Sequence, residues 1–258
     1  MKTKRKQSGI TLMEMTVVIA AVALLAVFGL PAIRAFVNSL ESKGPAEAMI
    51  DAALSSARSI ALREQRYAGI RFQKAYNPKG PLEAAQYMIF IIYDTEIPHG
   101  AQGNLGCRAV EGIEPIKLPD SVGVMDLIIN KNTIVDSDGE ISTLEDVNDT
   151  TTFSILFSPS GKLIIHNLWV RNRDGVSNDN SMDDIFNSLT NVRDNKIGMF
   201  LQDESSGDLK IEPSRNSFII YDTEKFKKTN SALRWTGYLR NLTLVYVNPY
   251  TGTIIGRD

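Results

Sequence analysis

The 258-residue sequence predicts an α+β fold, with a long N-terminal α-helix, transmembrane in its first part, packed on an antiparallel β-sheet head domain. Three observations carry that expectation. Met15 to Ile33 is a run of 19 residues without a charge. Apolar residues then recur at spacings of three and four between Ala46 and Ala61, and from Tyr67 onward short Ile-, Phe-, Tyr- and Val-rich stretches alternate with turn-forming residues. The helix is expected over residues 10–66, its transmembrane part over about 10–34, and the head over 67–258.

At about 1.5 Å per residue the uncharged run reaches roughly 28 Å, close to the hydrocarbon thickness of a bilayer. Lys2, Lys4, Arg5 and Lys6 precede it and only Arg34 follows closely, so the positive-inside bias places the N-terminus in the cytoplasm and the rest of the chain outside. A cleavable secretory signal also has a basic start and an apolar core, but that core is usually about 7–15 residues long and ends at a small-x-small site. Here the run is longer, contains Glu14 and passes through Leu30-Pro31-Ala32-Ile33 without such a site. A plain uncleaved anchor accounts for length and orientation but not for Glu14, because a carboxylate in an apolar span costs a few kcal/mol unless protonated, snorkelled or paired. Pro31 removes a helical hydrogen bond and predicts a kink near Leu30.

Further along, Ala46, Met49, Ile50, Ala53, Leu54, Ala57, Ile60 and Ala61 form one apolar stripe, with Arg58, Arg63 and Glu64 toward its end. Gly44-Pro45 bends or breaks the helix, and the second half packs on the head. Strands are expected over Tyr67–Phe72, Gln86–Tyr93, Phe153–Phe157, Lys162–Val170, Ser217–Asp222 and Thr243–Val247. Phe157-Ser158-Pro159-Ser160-Gly161-Lys162 reads as a hairpin turn with Gly161 at positive φ, and Asn248-Pro249-Tyr250-Thr251-Gly252 as a second.

The segment Ser8-Gly9-Ile10-Thr11-Leu12-Met13-Glu14 resembles the processing and methylation signal of type IV prepilins and type II secretion pseudopilins. The resemblance implies a leader over residues 1–9, cleavage after Gly9 by a prepilin peptidase, and N-methylation of the new terminus, Ile10. Ile10 departs from the Phe usual at that position. Glu14 becomes the fifth mature residue, which the family pairs with the N-terminal ammonium of a neighbouring subunit; a buried charge is tolerable when paired and costly when orphaned. Ala53 to Phe72 with Arg58 and Arg63, Phe157-Ser158-Pro159-Ser160-Gly161, and Tyr250-Thr251-Gly252-Thr253-Ile254 look like the minor pseudopilin H and minor pilin T group. These likenesses cover about a third of the chain; the excess over that group lies in Asn77–Glu83, His99–Thr151 and Asn172–Lys210.

What the resemblance implies is a structural subunit, a minor pseudopilin of a type II secretion pseudopilus, serving protein secretion across the outer membrane. It would sit in the inner membrane as a single-pass protein with a periplasmic head before entering the filament. Its partners would be prepilin peptidase, other pilins or pseudopilins, and an inner-membrane assembly platform. A minor pilin of a type IV pilus, used for adhesion, motility or DNA uptake, is the alternative within the same architecture. A signal-anchored envelope enzyme or binding protein is the alternative of another class.

Composition narrows the chemistry. The chain has 28 basic and 30 acidic residues, and loss of the four basic leader residues leaves 24 against 30, no electrostatic basis for binding nucleic acid. Cys107 is the single cysteine, so no disulfide forms within one subunit and a four-cysteine zinc site is impossible. Asp136-Ser137-Asp138-Gly139-Glu140 and Asp174 with Asn178-Asp179-Asn180-Ser181-Met182-Asp183-Asp184 are oxygen-rich loops that could hold calcium, but neither fits an EF-hand, and solvated acidic loops are the expectation. Ser181, three residues before Asp184, reads as a helix cap ahead of Ile185–Leu189. His99 and His166 lie in no catalytic motif, and no nucleophile elbow, phosphate loop or dinucleotide fingerprint occurs, so neither enzyme nor cofactor is expected.

Overall fold

A computed structural model describes residues 15, 18, 44–96, 105–126, 141, 143–176, 179–203 and 211–255. The chain divides into two compact units, residues 1–44 and 45–258. Within the first, Met15 and Val18 are helical and exposed.

Helix α1 (44–64) forms because its alanines and unbranched residues favour helix and its stripe gives it something to bury against. Ala46, Ile50, Ala53, Leu54, Ala57, Ile60 and Ala61 are all buried on that stripe. Burying each Ile or Leu contributes roughly 1.5–3 kcal/mol. Gln65, at a φ of 53°, takes the left-handed conformation that stops the helix, and its amide donates to the Leu62 carbonyl at 2.6 Å.

The strands after α1 are β1 (Ala68–Lys74), β2 (Gln86–Tyr93), β3 (Leu105–Ala109), β4 (Ile116–Lys117) and β5 (Val122–Met125). Helix α2 (Leu144–Thr151) precedes β6 (Phe153–Phe157), β7 (Leu163–Ile164), β8 (Asn167–Arg171), β9 (Phe186–Asn187), β10 (Phe200–Leu201) and β11 (Glu212–Pro213). The chain closes with β12 (Ser217–Asp222), α3 (Thr223–Lys228), β13 (Leu244–Val247) and β14 (Ile254–Ile255). The larger sheet runs β11-β8-β3-β2-β1-β6-β7, with β4 also on β2. Its pairs are antiparallel except β3 with β8. A second, antiparallel sheet runs β14-β13-β12-β5.

Alternate residues of β1, β2 and β6, among them Ile70, Phe72, Met88, Phe90, Phe153 and Ile155, form one core with α1 and with Val124, Phe218 and Ile220 of the smaller sheet. Phe72 stacks on Phe153 at 4.8 Å, and Phe153 on Phe218 at 6.4 Å, so aromatic rings join the sheets. Gln86 ties them a second time: its amide donates to Val124 O at 2.8 Å and accepts from Val124 N at 2.8 Å, as a further strand residue would. The opposite face of the larger sheet is equally covered. Ile89, Ile91, Cys107, Leu156, Leu168 and Val170 pack there with Ile185, Phe186 and Phe200. The sheet curls so that its ends meet: Ser214, just beyond β11, donates through its hydroxyl to Ile164 O at 2.7 Å, and Arg215 N donates to Ser154 O at 2.7 Å.

These findings correct three expectations. The architecture is a mixed α/β fold around a curled multi-stranded sheet, not a long transmembrane helix packed on an antiparallel head. Among the described residues no helix is long and apolar enough to cross a membrane. Helix α1 fails that test because Glu47, Asp51, Arg58, Arg63 and Glu64 lie along it and only one face is apolar. The expected single-pass inner-membrane placement falls with it; its span over about 10–34 lies outside the described residues apart from Met15 and Val18. Pro31 also lies outside them. Finally, Ser181 caps no helix because Phe186–Asn187 is strand; the segments in excess of the resembled group carry β3, β4, β5, α2, β9 and β10.

Gly69 shows how tightly β1 is held. A Cβ there would lie 2.1 Å from Ile155 O on the paired strand β6. Gly69→Ala is therefore expected to cost about 3 kcal/mol, since β1 and β6 must part, and to lower the urea midpoint without changing the m-value; an unchanged midpoint would show that the curl relaxes freely.

Candidate assembly surface

Gly9, Ile10 and Glu14, the residues assigned to processing and subunit pairing, lie outside the described residues. The three later segments that carry the resemblance are all described, and they meet in one place. Arg58, on the flank of the α1 stripe, donates from Nε to Gly161 O at 2.8 Å. Gly161 takes a φ of 74° in the turn after β6, and Gly252 a φ of 75° in the turn after β13. A Cβ at Gly252 would sit 3.1 Å from Arg58 Cδ, and one at Gly161 3.1 Å from Leu62. Both turns thus need glycine for backbone conformation and for close approach to α1.

The turns are also bonded to each other and to the helix. Leu163 N donates to Pro249 O at 2.8 Å, joining them directly. Lys162 lies over the Tyr250 ring at 5.9 Å, and Ile254 N donates to the Asp51 carboxylate at 2.7 Å. Around this junction Leu62, Tyr246, Tyr250 and Ile255 remain exposed, Tyr250 at 68%. The arrangement offers an apolar, partly aromatic rim on a rigid base, a surface suited to protein contact.

Elsewhere polar groups serve the fold. Arg71 on β1 lies on the covered face of the larger sheet, 2% exposed, with Asp203 at 2.7 Å and Glu212 at 3.2 Å. Its Nε donates to Gln73 Oε1 at 2.7 Å, and Gln73 in turn donates to Leu201 O at 2.8 Å. Burial, reinforced by the Asp203 carboxylate and opposed by Arg71, raises the Glu212 carboxyl to about 8. Sequence reading missed this cluster. Gly69, Arg71 and Gln73 alternate with apolar residues as a solvent face would, and nothing local announces that Leu201, Asp203 and Glu212 bond to this face.

The acidic loop around Asp174 is likewise committed. Asp174 accepts from Val176 N at 3.0 Å, Ser181 Oγ at 2.9 Å and Met182 N at 3.0 Å, while Arg173 pairs with Asp183 and Asp184. Asp136 to Glu140, Asn178 and His99 lie outside the described residues. Among the described residues no group of three or more His, Cys, Asp or Glu side chains could hold a metal ion. Cys107 is buried on β3, which pushes its thiol up to about 12, and His166 Nδ1 lies 3.1 Å from Asn167 O. No protein family, curated protein or solved structure matches the chain.

Two outcomes follow from this chemistry. Arg58→Met keeps the apolar stem and removes the bond to Gly161, so chemical denaturation should register a loss of about 1 kcal/mol, with Arg58→Ala losing more. Glu212 has a folded pKa above its unfolded one, so the native state binds the extra proton, and stability should fall as pH rises from about 4.5 toward 8. Glu212→Gln should flatten the measured stability over that window; an unaltered pH profile would remove Glu212 as its source.

Proposed function

We propose that the chain is a structural subunit of a pilin-like filament, a minor pseudopilin serving type II secretion. A prepilin peptidase cuts after Gly9, Ile10 becomes the methylated N-terminus, and Glu14 pairs with the terminal ammonium of a neighbouring subunit. Other pilins or pseudopilins and an assembly platform are its partners.

One observation carries this reading beyond the N-terminal signal. Three short segments, far apart in the chain and each resembling the same group, meet at a single junction on α1, where Arg58 bonds Gly161 and the flanking residues Asp51, Leu163 and Pro249 complete the bonds. Chance likenesses scattered over 258 residues have no reason to converge. The exposed rim of Leu62, Tyr246, Tyr250 and Ile255 gives that junction a face for a neighbouring subunit.

The test is the N-terminal residue and mass of the protein isolated from cells. N-methylated Ile10 is expected, and Glu14→Leu should abolish filament incorporation while the isolated head keeps its circular dichroism. An N-terminus at Met1, or normal incorporation of the Glu14→Leu chain, would defeat the proposal.

A further inference from the structure

A cleft of about 300 Å³ opens where β1 ends, between the 82–86 segment, the 117–122 loop and α3. Its walls mix apolar side chains, Leu82, Leu118, Val122 and Phe226, with three lysines, Lys74, Lys117 and Lys227. Two of those lysines already have carboxylate partners at the mouth: Lys117 is 2.7 Å from Asp120, and Lys227 is 3.1 Å from Glu83. Lys74 differs. It is half-buried, and its Nζ donates to a neutral acceptor, Ala84 O, at 3.0 Å.

We propose that this cleft binds a small carboxylate, its charged end on the Lys74 ammonium beside Lys227 and its apolar stem against Leu82, Leu118 and Phe226. An ammonium has three donors, and the Ala84 carbonyl takes one, so two remain for a ligand's oxygens. The size lies at the small end of ligand sites, enough for a compact acid or for one terminal residue of a peptide. Glu83, Asp120 and Glu224 also line the cleft, and Asp120 and Glu83 pair with Lys117 and Lys227, so the Lys74 ammonium and the apolar side chains together fix a ligand's orientation.

The electrostatics agree with that geometry. Burial draws the Lys74 amine down to about 8, the Lys227 ammonium adds to the effect, and the Glu83 carboxylate opposes it. A bound carboxylate adds to the counter-charge that Glu83 supplies from nearby and reverses the shift. Affinity should therefore be full below about pH 8, where Lys74 is charged, and should decline as pH rises through that value.

The experiment uses the full-length protein with its lysines reductively methylated with carbon-13, observed by NMR, and benzoate as the probe. The Lys74 resonance is identified as the one missing in Lys74→Met, whose other lysine resonances report that the fold is kept. Saturating benzoate should move the titration of that resonance to higher pH. Benzoate should also bind unmethylated Lys74→Met at least tenfold more weakly than unmethylated wild type, and less tightly at pH 9.5 than at pH 7. A Lys74 resonance indifferent to benzoate, or equal binding by Lys74→Met, overturns the proposal. N-acetylphenylalanine and its amide distinguish the sources: binding of the acid alone points to a peptide C-terminus as an occupant, and benzoate binding without it to a free small acid.

Discussion

Only Ile165 and His166 separate β7 from β8, yet these strands lie at opposite ends of the path β8-β3-β2-β1-β6-β7. Flat, that path would span about 24 Å at roughly 4.8 Å between neighbours. Three residue steps reach about 10 Å. The sheet must curl until its edges nearly meet, and the Ser214 and Arg215 bonds across the gap fasten it there. Everything on the enclosed face then loses its access to water. Ile89, Ile91 and Val170 gain by this, whereas Arg71 and Gln73 must be supplied with partners.

Those partners are Leu201 of β10, Glu212 of β11 and Asp203 just after β10. Asp203 takes Arg71 on one oxygen and Val170 N on the other at 2.6 Å, so a single carboxylate both neutralises the guanidinium and pairs with the β8 backbone. A buried ion pair adds little over a well-packed apolar substitute, but removing one member leaves the other uncompensated, typically at about 3–5 kcal/mol. The Arg71 cluster therefore binds Asp203 and Glu212 to β1 more by the penalty of separation than by net attraction. This explains why so much of Asn172–Lys210, expected as an insertion with room for chemistry, is spent covering the sheet.

The strands legible in the sequence were those with a strong aromatic and β-branched content. β1, β2, β6, β12 and β13 stand within a residue or two of expectation, and both glycine turns fall where their residues require. β3 and β5 escaped because Leu105-Gly106-Cys107 and Val122-Gly123-Val124 are short, interrupted by glycine and buried on both faces, which erases alternation. The parallel pairing of β3 with β8 joins residues about sixty apart and has no local signature. Capping went wrong in both directions. Thr143 and Asp146 form a genuine reciprocal cap on α2 that went unread, while Ser181 and Asp184 match the same pattern without a helix. There the burial of Ile185 and Phe186 beside Phe200 outweighs local propensity. Long-range covering also hid Arg71, since Asp203 and Glu212 are more than 130 residues away.

Helix α1 is fixed on two sides by different means. Its stripe is held by apolar contact, which resists separation but gives way to sliding, whereas Asp51 and Arg58 are held by directional bonds to Ile254 and Gly161. The Asp51 bond spans 203 residues, so the β13–β14 hairpin clasps α1. Two hydrogen bonds are worth only about 1 kcal/mol each, but they lie nearly two turns apart along the helix and define its register against the head. In the filament proposed above, that register is what a load on the N-terminal helix must work against. The glycines at 161 and 252 serve that register, because each turn takes a positive φ and brings its backbone so close to α1 that a Cβ would lie 3.1 Å from the Leu62 or Arg58 side chain.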